Sequence, residues 1–313
     1  MKARLFPSQF SLDWAPCLAF LALAANACLA IHGLHQQSVT VDEFAHLPAG
    51  LSYWQTGSFF AYRVNPPLVK LLAALPVLVE RPRLALTQQT PDEMGDERTS
   101  LGRRFLEANR NNYFNFFIAG RYSVVVLSLL GGWCVFYWTR ELFGSPSGVV
   151  AVFLWSFCPN ILAHGQLITT DMGAATSTFN ASYFYWRWLR RPTWKSAVLA
   201  GVLLGIAELT KFTCLVLYPV WAFLWLVSLF ARRRSPALMT GASAESLCLA
   251  SNKHQFIQLM TMVFLSLLVI NAGYGFEGTF KHLGDLNFQS QDLQSSQACS
   301  TALTPRLRIP VPP

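Results

Sequence analysis

The sequence has few charged residues for its length. Only 13% of its 313 residues are Asp, Glu, Lys or Arg, and 53% are hydrophobic. A soluble domain averages about 25% charged residues, so this composition excludes an ordinary water-soluble fold and predicts a membrane protein. The net charge of +8 does not predict a nucleic-acid partner, because the basic residues cluster between apolar segments rather than on one helix face.

Several motifs of soluble enzymes are also missing. The sequence has no GxxxxGK(S/T), no GxGxxG framed by a strand, no HExxH and no GxSxG. These absences leave no evident site for soluble nucleotide chemistry, so a transferase would take its donor from the lipid. The seven cysteines include no CxxC pair. Because most of them lie in or beside apolar runs, we interpret them as small apolar residues rather than zinc ligands or disulfides.

Apolar segments predict an all-α, polytopic helical bundle of seven spans, since about 20 mostly apolar residues cross the hydrocarbon. The segments are Ser11–Ile31, Ile118–Trp138, Ser147–Leu162, Gly173–Leu189, Ser196–Leu209, Thr213–Phe230 and Phe256–Gly273. A shorter run, Leu68–Val79, is interrupted by Lys70 and Pro76 and predicts an interfacial helix on the outer surface. Gly201 and Gly205 form a small-xxx-small pattern that predicts close helix packing.

The basic residues predict the orientation of the bundle. With the N-terminus inside, the cytoplasmic ends carry clusters such as Arg190-Arg191-Lys195, whereas the short outer turns, 163–172 and 210–212, carry only Lys211. The sequence therefore predicts a cytoplasmic N-terminus and a large first external loop over residues 32–117. Cleavage of the first segment near Ala27, as a secretory signal, is the alternative for this region.

An acidic pair, Asp42 and Glu43, follows the first apolar segment. A carboxylate there can act as a general base toward a hydroxyl acceptor or as a metal ligand. The alternative is that Thr40 or Asp42 simply caps the helix that follows. His46 lies four residues after Asp42 and three after Glu43, a spacing that on a helix can hold a divalent cation. The alternative for His46 is an ordinary hydrogen-bonding role.

The predicted topology puts three further ionisable residues on the same outer face. Lys70 follows Pro-Pro on the interfacial helix, where it can bind a lipid-linked phosphate or snorkel into the headgroup layer. Lys211 interrupts an apolar stretch, which suits a phosphate contact in a polar pocket. Asp171 precedes a span, where Thr170 or Asp171 can cap the helix, or where Asp171 can orient a catalytic partner or a metal. Ionisable groups at a membrane edge are costly, so a shared face predicts one composite site.

The order of these motifs resembles a known family. Similar segments occur in GT-C type bacterial membrane glycosyltransferases of family 39, the protein O-mannosyltransferase-like and aminoarabinose-transferase-like enzymes. The matching segments are Val41–Gly50, Tyr53–Gly57, Asn65–Leu72, Arg140–Gly144, Pro159–Asp171, Leu209–Phe212 and Tyr274–Gly278. The resemblance covers essentially the whole chain.

The resemblance implies transfer of a sugar from a polyprenyl-phosphate carrier to a protein or glycolipid acceptor on the external face of the bacterial inner membrane. By matching position, the acidic pair Asp42 and Glu43 and the second acid Asp171 are the catalytic residues. The candidate contacts to the carrier phosphate are Lys70, Lys211 and Arg63. No cofactor is implied for the family as a whole, but some relatives bind a divalent cation, for which His46 is the candidate ligand here.

Relatives continue for a few hundred residues beyond the point where this sequence stops. We therefore expect residues 1–273 to form a transmembrane module and residues 274–313 to begin an external segment that is cut short. Two alternatives to an active transferase stay open. One is a non-enzymatic membrane protein, such as a transporter or assembly subunit, and the other is an inactive fragment of the transferase.

Overall fold

All regular structure in the described part of the chain is helical. The computed structural model describes residues 14–84, 97–234 and 252–279. Its elements are α1 (Ala15–Gln36), α2 (Glu43–Thr56), α3 (Leu68–Leu78), α4 (Glu97–Ala108), α5 (Tyr113–Phe143), α6 (Ser145–Phe157), α7 (Pro159–His164), α8 (Thr170–Arg190), α9 (Trp194–Glu208), a 3-10 turn (Phe212–Val216), α10 (Leu217–Arg234) and α11 (Asn252–Gly273). The predicted all-α membrane fold is confirmed, whereas most of the predicted tail, from residue 280 on, lies outside the described residues.

Four described segments are long and apolar enough to cross a membrane. They are α1, α5, the 3-10 turn continued into α10, and α11, which correspond to the first, second, sixth and seventh predicted spans. Helices α6 and α9 have only 13 and 15 residues, and α8 is long enough but less apolar. The predicted count of seven spans is therefore not confirmed.

The third predicted span is two helices rather than one. Helix α6 ends at Phe157, Cys158 is extended, and α7 begins at Pro159. Proline has no N–H and is tolerated in a first helical turn, so it starts a new helix instead of continuing the old one. This break turns the chain toward the segment that precedes Asp171.

Helix α3 is packed against its neighbours in the bundle, and its predicted place at the membrane interface stays a prediction. Its residues Val69, Ala73 and Val77, spaced four apart, are buried together with Lys70 and Ala74, and α3 packs against α2 and α5. A Cβ atom at Gly50 of α2 would lie 2.1 Å from the carbonyl oxygen of Lys70. Only glycine allows so close a crossing of these two helices.

The predicted packing role of the glycine pair in α9 is confirmed. A Cβ atom at Gly201 would lie 2.7 Å from the Cα of Met262, and one at Gly205 would lie 2.6 Å from the Cβ of Val269. Both neighbours belong to α11, so the backbones of α9 and α11 are in direct contact. Small residues permit this approach between helices that cannot gain hydrophobic energy from lipid.

The buried apolar residues form two main clusters. One joins α1, α3, α5 and α6 around Phe117, Phe136 and Trp155, and the other joins α8 to α11 around Trp188 and Trp221. Large apolar side chains are also exposed, including Phe20 of α1, Phe223 of α10 and Phe264 of α11, each more than 60% exposed. Such extensive apolar exposure indicates faces that contact lipid.

The connections define two ends of the bundle. At the first, Leu68 N donates to Leu209 O (3.0 Å) and α2 contacts the turn before α8; we call this the loop end. At the other, the end of α5 meets α8 and the α8–α9 turn; we call it the arginine end. The predicted functional residues all belong to the loop end.

Candidate active site

The buried acid of the site is Glu43, the first residue of α2. Its carboxylate is fully buried and accepts two hydrogen bonds from Arg121, from Nε (2.8 Å) and from a terminal guanidinium nitrogen (2.7 Å). It also accepts from the backbone N–H of Ile168 (2.9 Å) and from the N–H and hydroxyl of Thr40 (2.9 and 3.0 Å). Burial alone would raise the pKa of Glu43, but the Arg121 hydrogen bonds and charge, with the backbone donors, hold it below its ordinary value.

Arg121 is the partner that our sequence analysis missed. It lies inside the second predicted span, is 1% exposed, and also donates to the carbonyl oxygens of Leu34, Gln37 and Ser38. The ion pair thus joins α5 to the end of α1, to α2 and to the turn before α8. A signal for it was present in the sequence, because an arginine within an apolar span needs a partner.

The neighbouring acid, Asp42, has the opposite environment. Its side chain is 53% exposed, and its ion pair with Arg98 is long, at 3.6 Å. The capping alternative for Asp42 is wrong, because Asp42 makes no side-chain hydrogen bond to the first turn of α2. Two adjacent carboxylates are therefore divided between the protein interior and the solvent.

His46 is buried one turn further along α2. Its Nδ1 lies 2.8 Å from the carbonyl oxygen of Ile168, and since a carbonyl can only accept, Nδ1 carries the proton. Nε2 is buried without a hydrogen-bond partner among the described residues, and burial lowers the pKa of the imidazole. Together Glu43 and His46 hold the N–H and the C=O of Ile168, three residues before Asp171.

The described residues around His46 supply few free ligands for a divalent metal. Both oxygens of Glu43 are occupied by strong donors, and within residues 14–84, 97–234 and 252–279 no group of three His, Cys, Asp or Glu side chains is arranged to hold an ion. Metal ligation by His46 stays a prediction, and no step is derived from it.

Lys70 is completely buried and anchors a loop. Its Nζ donates to the carbonyl oxygens of Tyr62 (2.6 Å) and Asn65 (2.8 Å) and to the hydroxyl of Tyr53 (3.3 Å). The rings of Tyr53 and Tyr62 lie 5.5 and 5.1 Å away, within cation–π range. The snorkelling alternative is therefore wrong. A phosphate contact by Lys70 stays a prediction, and it would require some of these hydrogen bonds to break.

Asp171 and Lys211 form the second ion pair of the site. Lys211 Nζ lies 2.6 Å from Oδ1 of Asp171, and Nδ1 of His164 lies 3.6 Å from Oδ2. Partial burial would raise the pKa of Asp171, but the hydrogen bond and charge of Lys211 lower it. No side-chain hydrogen bond caps α8, so the capping alternative for Asp171 is wrong as well. Asp171 instead orients Lys211.

The segment after α11 contacts the first loop at the loop end. Glu277 accepts hydrogen bonds from the hydroxyl of Ser58 (3.0 Å) and from the N–H of Phe59 (2.7 Å). The Phe59 ring packs on Tyr274 with 5.4 Å between centroids. The exposed Arg63 lies on the same loop, with its guanidinium 4.4 Å over the Phe60 ring. Glu277 was not among the predicted site residues, although the resemblance includes its segment.

An apolar cavity of about 390 Å³ descends from the loop end between α3, α5, α8 and α9. At the loop end the cavity is lined by Thr210, the residue before Lys211, and by Gly173, two residues after Asp171. Its walls are largely apolar, with Leu72, Leu130, Trp133, Leu203 and Ile206 among the lining side chains. The cavity thus runs from Thr210, the chain neighbour of Lys211, along the apolar middle of the bundle.

The structure brings some predicted residues together and leaves others separate. Asp171 and Lys211 are in contact, and Glu43 and His46 meet at Ile168. The described ion pair of the Asp42 side chain is with Arg98, and no described contact joins that side chain to Asp171 or Lys211. The arrangement offers an exposed carboxylate, a lysine held by a carboxylate, and an apolar cavity that reaches Thr210, the residue before that lysine.

Comparisons with known proteins give one match. A family model described as dolichyl-phosphate-mannose-protein mannosyltransferase matches residues 115–270, just under half of the chain. No curated protein and no solved structure matches. The matched segment runs from α5 to α11, so it includes Asp171 and Lys211 and excludes Asp42 and Glu43. The description of the matched family names a mannosyltransferase with a lipid-linked sugar donor. The match and the apolar helices together indicate an integral membrane protein.

Proposed function

We propose that this chain is a glycosyltransferase of the protein O-mannosyltransferase-like type. It moves a sugar from a polyprenyl-phosphate donor to a protein or glycolipid acceptor. The observation that carries the proposal is the contrast within the acidic pair. Glu43 is saturated with hydrogen bonds in the interior, whereas the Asp42 carboxylate is half exposed at the loop end. Asp42 is therefore the carboxylate that an acceptor hydroxyl can reach.

Asp42 acts as the general base of the proposed reaction. It takes the proton of the acceptor hydroxyl as the hydroxyl oxygen attacks the anomeric carbon of the sugar. The bond between that carbon and the phosphate oxygen breaks, with inversion, and polyprenyl phosphate leaves with the electron pair. Because phosphate is a good leaving group, the protein has mainly to position the two substrates and stabilise negative charge.

Lys211 is the proposed contact for the carrier phosphate. One of its N–H groups is directed at Asp171, 2.6 Å away, and an ammonium has three such groups. Asp171 thereby fixes the position of the ammonium, and its remaining donors are available to phosphate oxygens. Arg63 is a second proposed contact, since it is exposed on the loop that Glu277 ties down.

The apolar cavity supports the choice of donor. A polyprenyl chain bound along Leu72, Leu130 and Leu203 would put its phosphate near Thr210, next to Lys211. We further propose that the loop end faces the outside of a bacterial inner membrane and that the N-terminus is cytoplasmic. The support for this orientation is the bias of basic residues among the short connections, which are rich in them at the arginine end and carry only Lys211 at the loop end; the segment 32–117 is too long for the rule to apply.

The proposal is tested by a transfer assay in membranes with a radiolabelled polyprenyl-phosphate sugar. We expect Asp42→Asn to lower transfer by a factor of about 10² to 10⁴, the usual contribution of a general base, with unchanged membrane insertion. Glu107→Gln is the matched control, because it removes another exposed carboxylate of the first loop. We expect it to retain transfer.

Full transfer by Asp42→Asn would overturn the role of Asp42. Uptake of the labelled lipid sugar without any transfer by the unaltered chain would favour the transporter alternative. An unaltered chain that is folded, takes up nothing and transfers nothing would favour the inactive fragment.

A further inference from the structure

A second cavity, of about 510 Å³, lies at the arginine end. It is formed where α5 ends and where α8 turns into α9, and its lining includes Glu141, Arg187, Arg190, Arg191, Thr193 and Lys195. Helix α8 has 21 residues and rises about 1.5 Å per residue, so the cavity is separated from Asp171 by nearly the full length of that helix. It is not part of the candidate active site.

The cavity has an excess of positive charge. Four basic side chains line it against one carboxylate, that of Glu141, which accepts a hydrogen bond from the hydroxyl of Tyr183 (2.7 Å). Across the described residues, no carboxylate lies within ion-pair distance of Arg190, Arg191 or Lys195. Unpaired cations around one concave space attract an anion and raise its local concentration.

The arginines of this cavity are held in place by aromatic rings. The guanidinium of Arg187 lies 5.7 Å from the ring centre of Tyr183, and that of Arg190 lies 5.0 Å from Trp186. Each pair is four residues apart on α8, the spacing at which helical side chains meet. One terminal nitrogen of Arg187 donates to the hydroxyl of Tyr183 (3.4 Å). A guanidinium has five N–H donors, so further donors remain that match phosphate oxygens.

The backbone beside the arginines is also ordered. Thr193 and Ser196 form a capping box at the start of α9, in which Ser196 N donates to Thr193 Oγ1 (3.3 Å). Trp194 follows and is half exposed. Exposed tryptophans at helix ends are typical of the membrane–water boundary, which puts the cavity at the level of the lipid headgroups.

We propose that this cavity binds a phosphate group, supplied either by the headgroup of an anionic phospholipid or by a soluble phosphate compound. Basic pockets between membrane helices are suited to such headgroups. The alternative is that these residues serve only as the general positive charge that orients a membrane protein. That role needs charge at this end of the bundle, but it does not depend on which basic residue carries the charge.

The test uses the full chain in detergent. Phosphatidylglycerol, phosphatidylcholine and inorganic phosphate are titrated separately, and bound molecules are counted by native mass spectrometry. The matched variants are Lys195→Gln, which changes the cavity lining, and Lys253→Gln, which removes an exposed lysine at the start of α11. We expect Lys195→Gln to weaken phosphatidylglycerol binding about fivefold, the pair Arg187→Gln and Arg191→Gln to weaken it further, and Lys253→Gln to leave it unchanged.

The arms of the experiment separate the sources of the phosphate. Binding of phosphatidylglycerol but not phosphatidylcholine, sensitive to Lys195→Gln, supports a lipid ligand. Binding of inorganic phosphate with the same sensitivity, and no preference between the lipids, supports a soluble phosphate compound. Absence of binding in every arm, or an equal loss in Lys195→Gln and Lys253→Gln, would overturn the proposal. Lys195 is exposed, so we expect its substitution to leave the fold intact. Binding to this variant can therefore be measured even if the double arginine variant fails to fold.

Discussion

The charged residues at the two ends of the bundle differ in burial and in ion pairing. At the loop end, the Glu43–Arg121 pair is completely buried, Lys70 is buried against backbone carbonyls, and Lys211 lies against Asp171. At the arginine end, Arg190, Arg191 and Lys195 are exposed, and no described carboxylate lies within ion-pair distance of them. Charges that are buried and paired hold elements in position, whereas exposed charges remain free to meet a membrane or a ligand.

The largest stability difference between the two ends is expected for the buried ion pair. Arg121→Gln leaves the Glu43 carboxylate buried without its main partner, which costs about 3–5 kcal/mol. Arg191→Gln, at the arginine end, is expected to change the free energy of unfolding by less than about 0.5 kcal/mol. Unfolding titrations in mixed detergent would measure both. Equal losses of stability in the two variants would contradict a difference between the ends in how much their charged residues stabilise the fold.

Lys70 gives a smaller but distinct contrast. Lys70→Met keeps much of the side-chain volume but removes the donor to the carbonyl oxygens of Tyr62 and Asn65. An unsatisfied buried polar group costs about 1–3 kcal/mol, so we expect a loss of that size and faster proteolysis of residues 57–67. Lys253→Met is the control and should have neither effect. A Lys70→Met variant that keeps its stability but loses donor binding would instead favour the predicted phosphate contact.

The smallest expected effect is the pH dependence from Asp171. Its pKa is lowered in the folded protein, so the unfolded chain binds the proton more tightly. The contribution of Asp171 is therefore fully present above its unfolded pKa, about 4, and is lost as the pH falls through the lower folded value. We expect the loss of stability below about pH 5 to be less steep in Asp171→Asn than in the unaltered chain, as followed by thermal unfolding. Identical pH profiles would contradict the stabilising pair with Lys211.

Much of the helical framework could be predicted because its signals are local. Helices α1, α5, α10 and α11 follow from apolar length, and α3 was predicted to within one residue. The close contact of Gly201 and Gly205 with α11 followed from their spacing. The prediction of a single third span was wrong because a proline at position 159 divides the segment into two helices. This signal is local, but a prediction from apolar length alone does not take it into account.

The candidate site was less accessible to sequence reasoning because its contacts are long-range. Glu43 and Arg121 are 78 positions apart, and Lys211 and Asp171 are 40 apart. A shared face could be expected for Asp171 and Lys211, but not their direct pairing. The burial of Lys70 could not be expected either, because it depends on how α3 wedges between α2 and α5.

The sequence by itself determined that this is a helical membrane protein, which residues could carry its chemistry, and which of them share an end of the bundle. Composition and apolar length decide the first, and the order of the motifs along alternating helices decides the rest. Only the tertiary structure decided which of two adjacent carboxylates is buried. Neighbouring helical residues point about 100° apart, so the packing of α2 against α5 turns Glu43 toward Arg121 and leaves Asp42 at the surface.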